Sequence, residues 1–248
     1  DSPPAERPPL APAQWLGEIN DNTTKPMLGI VGATQLGKST LALAALGRRA
    51  GKVVITSPKP KEEDAWNGAR VHRLQIDLTT RRVDWSPIIH AIDAVHYEML
   101  RRKAMGDTTS EQLTLVIDEY NQVLRNAPKQ TRDQVIALWG MAASSRIRVI
   151  VIATEVNAKG WGIEGQRDLL DNLTFMRVED GRRWSLGRLD ANGRLIDPQA
   201  CDTTPLRQLA REAQLAGREW VPPPMPSAAP TDQGLIKDLL GALPPPAG

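Results

Sequence analysis

The feature that most constrains the fold is the glycine-rich segment GATQLGKS at residues 32–39. It lies directly after the apolar run MLGIV (27–31) and before a stretch with helical character. The segment fits G-x-x-x-x-G-K-[ST], a loop whose backbone N–H groups point at phosphate oxygens where a helix begins. Such a loop needs a strand before it and a helix after it. Because both are present, the sequence predicts a nucleotide-binding α/β domain.

Each part of this loop has an expected role. The Lys38 ammonium is expected to reach the β- and γ-phosphates, and the Ser39 hydroxyl to ligate Mg²⁺. Thr40, the next helical residue, is expected to support the α-phosphate. The predicted cofactors are therefore ATP and Mg²⁺. The predicted nucleotide-binding residues are Gly32, Ala33, Thr34, Gln35, Leu36, Gly37, Lys38, Ser39 and Thr40.

Further apolar, β-branched runs follow along the chain and alternate with helix-like stretches. They occupy residues 52–56, 113–117, 148–153 and 173–178. This alternation predicts a three-layer, RecA-like α/β fold with a mainly parallel sheet, followed by a C-terminal hairpin and short helices. The predicted domains are a proline-rich linker (1–24), an ATPase core (25–182), a hairpin and short helix (183–220) and a proline-rich tail with an amphipathic helix (221–248).

Adjacent carboxylates end the apolar strand in LTLVIDEY, residues 113–120. Asp118 is expected to hold Mg²⁺, through water, and Glu119 to act as the general base toward the attacking water. The alternative is a solvated helix start. With a phosphate loop upstream, the pair favours an ATPase with a glutamate base. The guanine-reading N-K-x-D pattern is absent from the sequence.

A third apolar strand, VIVIATE (149–155), ends in Thr154 and Glu155. In ATPases of this architecture, a strand between the two phosphate-site strands carries a polar sensor toward the γ-phosphate. We therefore add both residues to the candidate catalytic set.

Composition adds little about partners. The net charge of +2 is too small to indicate nucleic acid by itself, although the pI near 8.8 leaves that partner open. The single cysteine, Cys201, excludes an internal disulfide framework, and no apolar run is long enough to span a bilayer. We expect a cytoplasmic protein. Because the first residue is Asp1 rather than Met, we expect a processed or excised fragment.

The ordered motifs resemble the FtsK/HerA superfamily of DNA-pumping P-loop ATPases over roughly residues 27–180. The resemblance rests on GATQLGKST, VVITSPKPKE, EMLRRKAMGD, LVIDEYNQVL, IRVIVIATE and LLDNLTFMRV. One position departs from the family, whose third motif usually ends in Ala-Thr-Gln. Because a carboxylate repels phosphate, either Thr154 is the sensor or Glu155 contacts a cation or a neighbouring subunit.

The resemblance implies a hexameric ring in which an arginine completes the site of the next subunit. Arg146 is the first candidate, followed by Arg167 and Arg177. It also implies double-stranded DNA in a central pore, held by its phosphates. The candidate DNA segments are EMLRRKAMGD (98–107), TTRRVDW (79–85) and VNAKGWG (156–162), the last with Lys159 and Trp161. Each segment has the alternative of an ordinary solvated surface.

The small size favours a viral genome-packaging motor located in the host cytoplasm, with association to a virion or membrane as an alternative. The helix at 231–243 is a candidate docking segment for a capsid or membrane protein; alternatively, it packs on its own domain. Other functions stay open. They are a conjugative or segregation pump domain of a longer membrane-anchored protein, a Zot-like phage export or assembly ATPase, and a RecA-like strand-exchange enzyme or helicase.

Overall fold

The computed structural model describes residues 7–21, 27–59, 66–155, 161, 173–178, 183–190 and 194–222. The helices are α1 (Pro12–Asn20), α2 (Lys38–Arg48), α3 (Ser86–Ala104), α4 (Tyr120–Asn126), α5 (Lys129–Met141) and α6 (Leu206–Glu212), with a 3₁₀ turn at Ala143–Ser145. The strands are β1 (Met27–Val31), β2 (Lys52–Ser57), β3 (Val71–Arg73), β4 (Gln75–Asp77), β5 (Arg82–Asp84), β6 (Leu113–Ile117), β7 (Ile147–Ala153), β8 (Leu173–Val178), β9 (Trp184–Leu189) and β10 (Leu195–Cys201).

The main sheet has eight strands in the order β10-β9-β8-β1-β7-β6-β2-β3. Neighbours from β8 to β3 are parallel, whereas β8, β9 and β10 pair antiparallel. The mainly parallel α/β fold predicted from the sequence is confirmed. Strand β7 lies between β1 and β6, as expected for the strand that carries the candidate sensor.

Helices cover both faces of this sheet. Along β1, Leu28 and Ile30 pack on one side, whereas Met27 and Val31 pack on the other, because successive side chains point to opposite faces. The first side holds buried residues of α1, α2 and α6, and the second those of α3, α4 and α5. Three layers are the arrangement that a strand buried on both faces requires.

An aromatic cluster of Tyr120, Trp139, Trp161 and Phe175 fills part of the second core. Trp161 lies 5.2 Å from Tyr120 and 5.4 Å from Trp139, measured between ring centroids, and 5.6 Å from Phe175. Gly29 makes room for the Phe175 ring of this cluster, because a Cβ at Gly29 would stand 2.5 Å from that ring.

The amino-terminal segment differs from the predicted linker. Within 1–24, the structure has α1, whose Trp15, Leu16 and Ile19 are buried. The Trp15 indole donates a 2.8 Å hydrogen bond to the Asp202 carbonyl. The many prolines of this region hid the helix, yet Pro12 at the first helical position has a backbone angle suited to a helix start.

The predicted appendage at 183–220 is joined closely to the core. Strands β9 and β10 extend the main sheet, and α6 packs on α2. The domain division stays a prediction. The hairpin turn at 191–193 and the candidate docking helix at 231–243 lie outside the described residues. Within the part of the chain that the structure describes, no helix is long and apolar enough to cross a bilayer.

Strands β4 and β5 form a separate two-stranded hairpin after β3. It contains much of the TTRRVDW segment. Ile76 and Val83 face each other across the hairpin and are 46% and 50% exposed, and Leu78 in the turn is 87% exposed. Sequence reasoning did not find this hairpin, because its strands are only three residues each.

Candidate functional site

The glycine-rich loop lies at the carboxyl end of β1, between β7 and β8. The Gly32 N–H donates a 3.2 Å hydrogen bond to the Ala153 carbonyl, the last residue of β7. A Cβ on Gly32 would stand 2.1 Å from a methyl group of Val178, so no larger residue fits without movement. Gly37 has φ 85° and caps α2. The close approach of Val178 at Gly32 and the positive φ at Gly37 explain why the loop needs glycine at both places.

Lys38 begins α2 and folds back over the loop. Its ammonium donates hydrogen bonds of 2.8 Å and 2.7 Å to the carbonyls of Gly32 and Ala33. Burial lowers the pKa of Lys38, and the nearby Lys59 lowers it further, whereas Glu119 and Asp118 raise it. Lys38, Lys59, Asp118 and Glu119 are therefore close enough to influence one another electrostatically. Ser39 and Thr40 follow on the first turn of α2, partly exposed.

Asp118 and Glu119 form the turn between β6 and α4. The Asp118 N–H continues the ladder to β2 by donating to the Thr56 carbonyl at 2.9 Å. Glu119 has φ 50° and ψ 46°, a left-handed conformation that is unfavourable for a residue with a side chain. Its N–H donates to Asp118 Oδ1 at 3.0 Å. Such strain is often found at functional sites.

Two residues at the end of β2 complete this cluster, and sequence reasoning gave neither a role. The Ser57 hydroxyl donates a 2.9 Å hydrogen bond to Asp118 Oδ2. The Lys59 ammonium lies 3.4 Å from Asp118 Oδ2 and 3.3 Å from Glu119 Oε1. Their position in the sequence could have identified both residues. They come at the end of an apolar strand, and polar residues there collect at the carboxyl edge of a parallel sheet.

Thr154 and Glu155 follow β7 and are both exposed. The Glu155 carbonyl accepts a 2.8 Å hydrogen bond from the Trp161 indole and a 3.4 Å hydrogen bond from the Asn121 amide. The backbone at Glu155 is therefore hydrogen-bonded to the aromatic cluster and to α4. The sensor role of Thr154 or Glu155 stays a prediction.

The candidate arginines Arg146 and Arg177 lie at opposite edges of the sheet. Arg146 precedes β7, and seven strand residues at roughly 3.3 Å each separate it by about 20 Å from the loop edge. Its guanidinium donates to the Thr108 carbonyl at 3.3 Å. It is therefore far from its own subunit's site, and its action on a neighbour stays a prediction. Arg177 pairs in register with Val31, at the loop edge. Arg167 lies outside the described residues.

The structure places the residues of the three candidate DNA segments in different surroundings. In EMLRRKAMGD, Arg102 is buried and bonded to Glu98, which makes it a structural residue. Trp161 of VNAKGWG is also fully buried, because it packs inside the aromatic cluster; its expected contact with DNA is wrong. Lys159 lies outside the described residues. Among the described residues of the three segments, Arg81 and Arg82 of TTRRVDW are exposed on the β4–β5 hairpin, and Lys103 of EMLRRKAMGD is exposed in the last turn of α3.

Solved structures of similar shape were found, although no family model and no curated protein match the chain. The cytoplasmic domain of the Type VII secretion ATPase EccC from Thermomonospora curvata has a TM-score of 0.50 and 16% identity, over 81% of this chain and 30% of that one. EccC ATPases 2 and 3 with a signal sequence peptide give 0.50 and 17%, over 86% and 47%. The chain has the fold of a P-loop ATPase. It spans less than half the length of either structure.

The α/β ATPase fold predicted from the sequence is thus confirmed, while superfamily, substrate and partners are left to proposal. The residues at the carboxyl edge also suit the predicted cofactors. Ser39, Asp118 and Glu119 offer only oxygen atoms, which Mg²⁺ prefers, and the Asp118 carboxylate is fully buried. Lys38 and the start of α2 provide the positive field that phosphates require.

Proposed function

We propose that this chain hydrolyses ATP with Mg²⁺ at the carboxyl edge of the main sheet and uses the energy to move a polymer. The observation that supports this most is that the Lys38 loop after β1 and the Asp118–Glu119 pair after β6 lie at the same edge of the sheet, with β7 between their strands. Both carboxylates raise the pKa of Lys38. Neither half alone would justify the proposal. Together they supply phosphate binding, metal binding and a base.

Each residue has a definite task in this proposal. Lys38 exchanges the carbonyls of Gly32 and Ala33 for phosphate oxygens when nucleotide binds. Ser39 and Asp118 hold Mg²⁺, which when bound neutralises charge on the phosphates. Glu119 accepts a proton from the attacking water, a task for a carboxylate near the γ-phosphate.

Double-stranded DNA is the polymer that we propose, moved by a hexameric ring during viral genome packaging. The exposed hairpin β4–β5 supports it, because Arg81 and Arg82 extend from the molecule where phosphates can reach them. Arg146 is the residue we assign to the neighbouring subunit's site. Its position at the opposite edge of the sheet suits action in trans rather than in cis.

Polypeptide is the second candidate polymer, because the same hairpin also exposes Ile76, Leu78 and Val83. Apolar side chains contribute little to contact with phosphates but bind apolar peptide side chains well. The EccC structure with a signal sequence peptide has the same fold. This alternative predicts hydrolysis that duplex DNA does not stimulate.

The test is steady-state ATP hydrolysis without DNA, with single-stranded DNA and with linear duplex DNA, each at low and high salt. The variant is Arg81→Ala/Arg82→Ala. The control is Arg207→Ala/Arg211→Ala, which removes the same charge from exposed positions on α6.

We expect duplex DNA to stimulate hydrolysis several-fold, the stimulation to fade with salt, and the hairpin variant alone to lose it. Equal stimulation of both double variants would remove the hairpin from DNA binding. Hydrolysis that is indifferent to DNA in every protein would contradict the DNA motor and favour polypeptide.

A further inference from the structure

The Lys59 side chain occupies a place in the site that the proposed hydrolysis does not use. It follows β2 and is one-third exposed, with 33% of its side chain accessible. Its ammonium contacts both carboxylates, 3.4 Å from Asp118 Oδ2 and 3.3 Å from Glu119 Oε1. The proposed metal ligand and the proposed base therefore share one cation.

Both carboxylate oxygens of Asp118 already accept hydrogen bonds, which limits how the side chain can bind a second cation. Its Oδ1 accepts the Glu119 N–H, and its Oδ2 accepts the Ser57 hydroxyl beside Lys59. Two cations on the same carboxylate repel each other, and the burial of Asp118 strengthens this repulsion. A divalent ion therefore meets a competitor at Asp118.

We propose that Lys59 is a positioning residue that holds Asp118 and Glu119 together before nucleotide binds, and that it competes with Mg²⁺ for Asp118. This inference rests on the proposed function of the site. Lys59 does not touch the reacting atoms in this account. It sets how strongly nucleotide binding depends on Mg²⁺.

The test measures binding of a fluorescent, non-hydrolysable ATP analogue as MgCl₂ is raised from zero. The variant is Lys59→Met, which removes the charge and keeps the length of the side chain. Lys59→Arg restores a cation. Lys52→Met is the matched control, because Lys52 begins the same strand at the opposite edge of the sheet and bonds to the Gly217 carbonyl.

We expect Lys59→Met to raise the apparent affinity for Mg²⁺ on the order of tenfold, because the variant lacks the unit charge that repels the divalent ion at Asp118. Lys59→Arg and Lys52→Met should stay close to wild type. An unchanged or weaker Mg²⁺ dependence in Lys59→Met would overturn the competition.

Two further measurements distinguish three outcomes: an unfolded variant, a wrong proposed function and a wrong role for Lys59. A thermal melt of each protein without nucleotide shows whether Lys59→Met is folded; if it is not, Lys59→Gln replaces it. Lys38→Ala tests the underlying site. Wild type that binds no analogue, or binds it without needing Lys38, would contradict the proposed function. Lys38-dependent binding with an unaltered Mg²⁺ response in the Lys59 variant would contradict only the role of Lys59.

Discussion

Two buried carboxylates, Glu98 and Asp118, show how the same chemical group serves two purposes in this molecule. They are 3% and 0% exposed. Glu98 on α3 receives guanidinium hydrogen bonds from Arg101 at 2.8 Å and 2.9 Å and from Arg102 at 2.7 Å. Arg102 also donates to backbone carbonyls just before β6 and β7. Asp118 lies at the opposite edge, where its cationic neighbour Lys59 is 3.4 Å away.

The pKa values of these two groups shift in opposite directions. Burial raises the pKa of Glu98, but the hydrogen bonds from Arg101 and Arg102 outweigh it and leave that pKa below its ordinary value. Burial also raises the pKa of Asp118, and there Lys59 and Ser57 do not outweigh it. A carboxylate that accepts several guanidinium hydrogen bonds, as Glu98 does, stabilises the fold. At Asp118 one lysine and one hydroxyl do not outweigh burial, so a further cation there would stabilise the charged form of the carboxylate.

The largest expected effect is on hydrolysis by Asp118→Asn. Loss of the metal ligand should lower kcat by about 10²-fold or more. The folded protein without nucleotide should melt at a higher temperature, because a pKa raised by folding means that ionised Asp118 destabilises the fold at neutral pH. Asp133→Asn, an exposed change on α5, is the control. Normal turnover in Asp118→Asn would break the comparison.

Glu98→Gln should have the converse effect. Removing one partner of a buried ion pair costs about 3–5 kcal/mol, because Arg102 keeps a buried, poorly compensated charge. Turnover per folded molecule should stay near wild type, since Glu98 is far from the loop. Denaturant unfolding measures the loss, and Glu111→Gln, exposed before β6, is the control. A stable but inactive Glu98→Gln protein would contradict a structural role.

A smaller effect is expected from acid. Because folding lowers the pKa of Glu98, its contribution to stability is fully present above its ordinary value of 4.5 and is lost as pH falls through the folded pKa. Exposed aspartates, including Asp77 and Asp84, also have lowered pKa values, so acid weakens the protein generally. The unfolding free energy should therefore fall less steeply in Glu98→Gln than in wild type. Parallel curves would show that Glu98 contributes nothing to acid sensitivity.

The sequence predicts the longer apolar strands well for a physical reason, and it places the glycine-rich loop between β1 and α2. Each rests on neighbouring residues: an apolar run sets a buried strand, and glycine spacing sets the loop. Asp118 and Glu119 were found in the same way, because they directly follow a strand. Their roles stay predictions until they are measured.

The sequence predicts poorly whatever depends on which strands become neighbours. Lys59 meets Asp118 only because β2 lies beside β6, a pairing between residues far apart in the chain. Arg102 and Trp161 look like surface residues in a local reading, yet distant partners bury them. Helix α1 was missed because its proline-rich surroundings concealed the short stripe of Trp15, Leu16 and Ile19.

The assignment of Glu119 as the base is tested by the Glu119→Gln variant, with ATP binding and ATP turnover measured on the same preparation. We expect near wild-type affinity for ATP with kcat reduced by about 10²–10⁴-fold, because the amide keeps the shape of the side chain but cannot accept the proton. Turnover at the wild-type rate would contradict the assignment of Glu119 as the base.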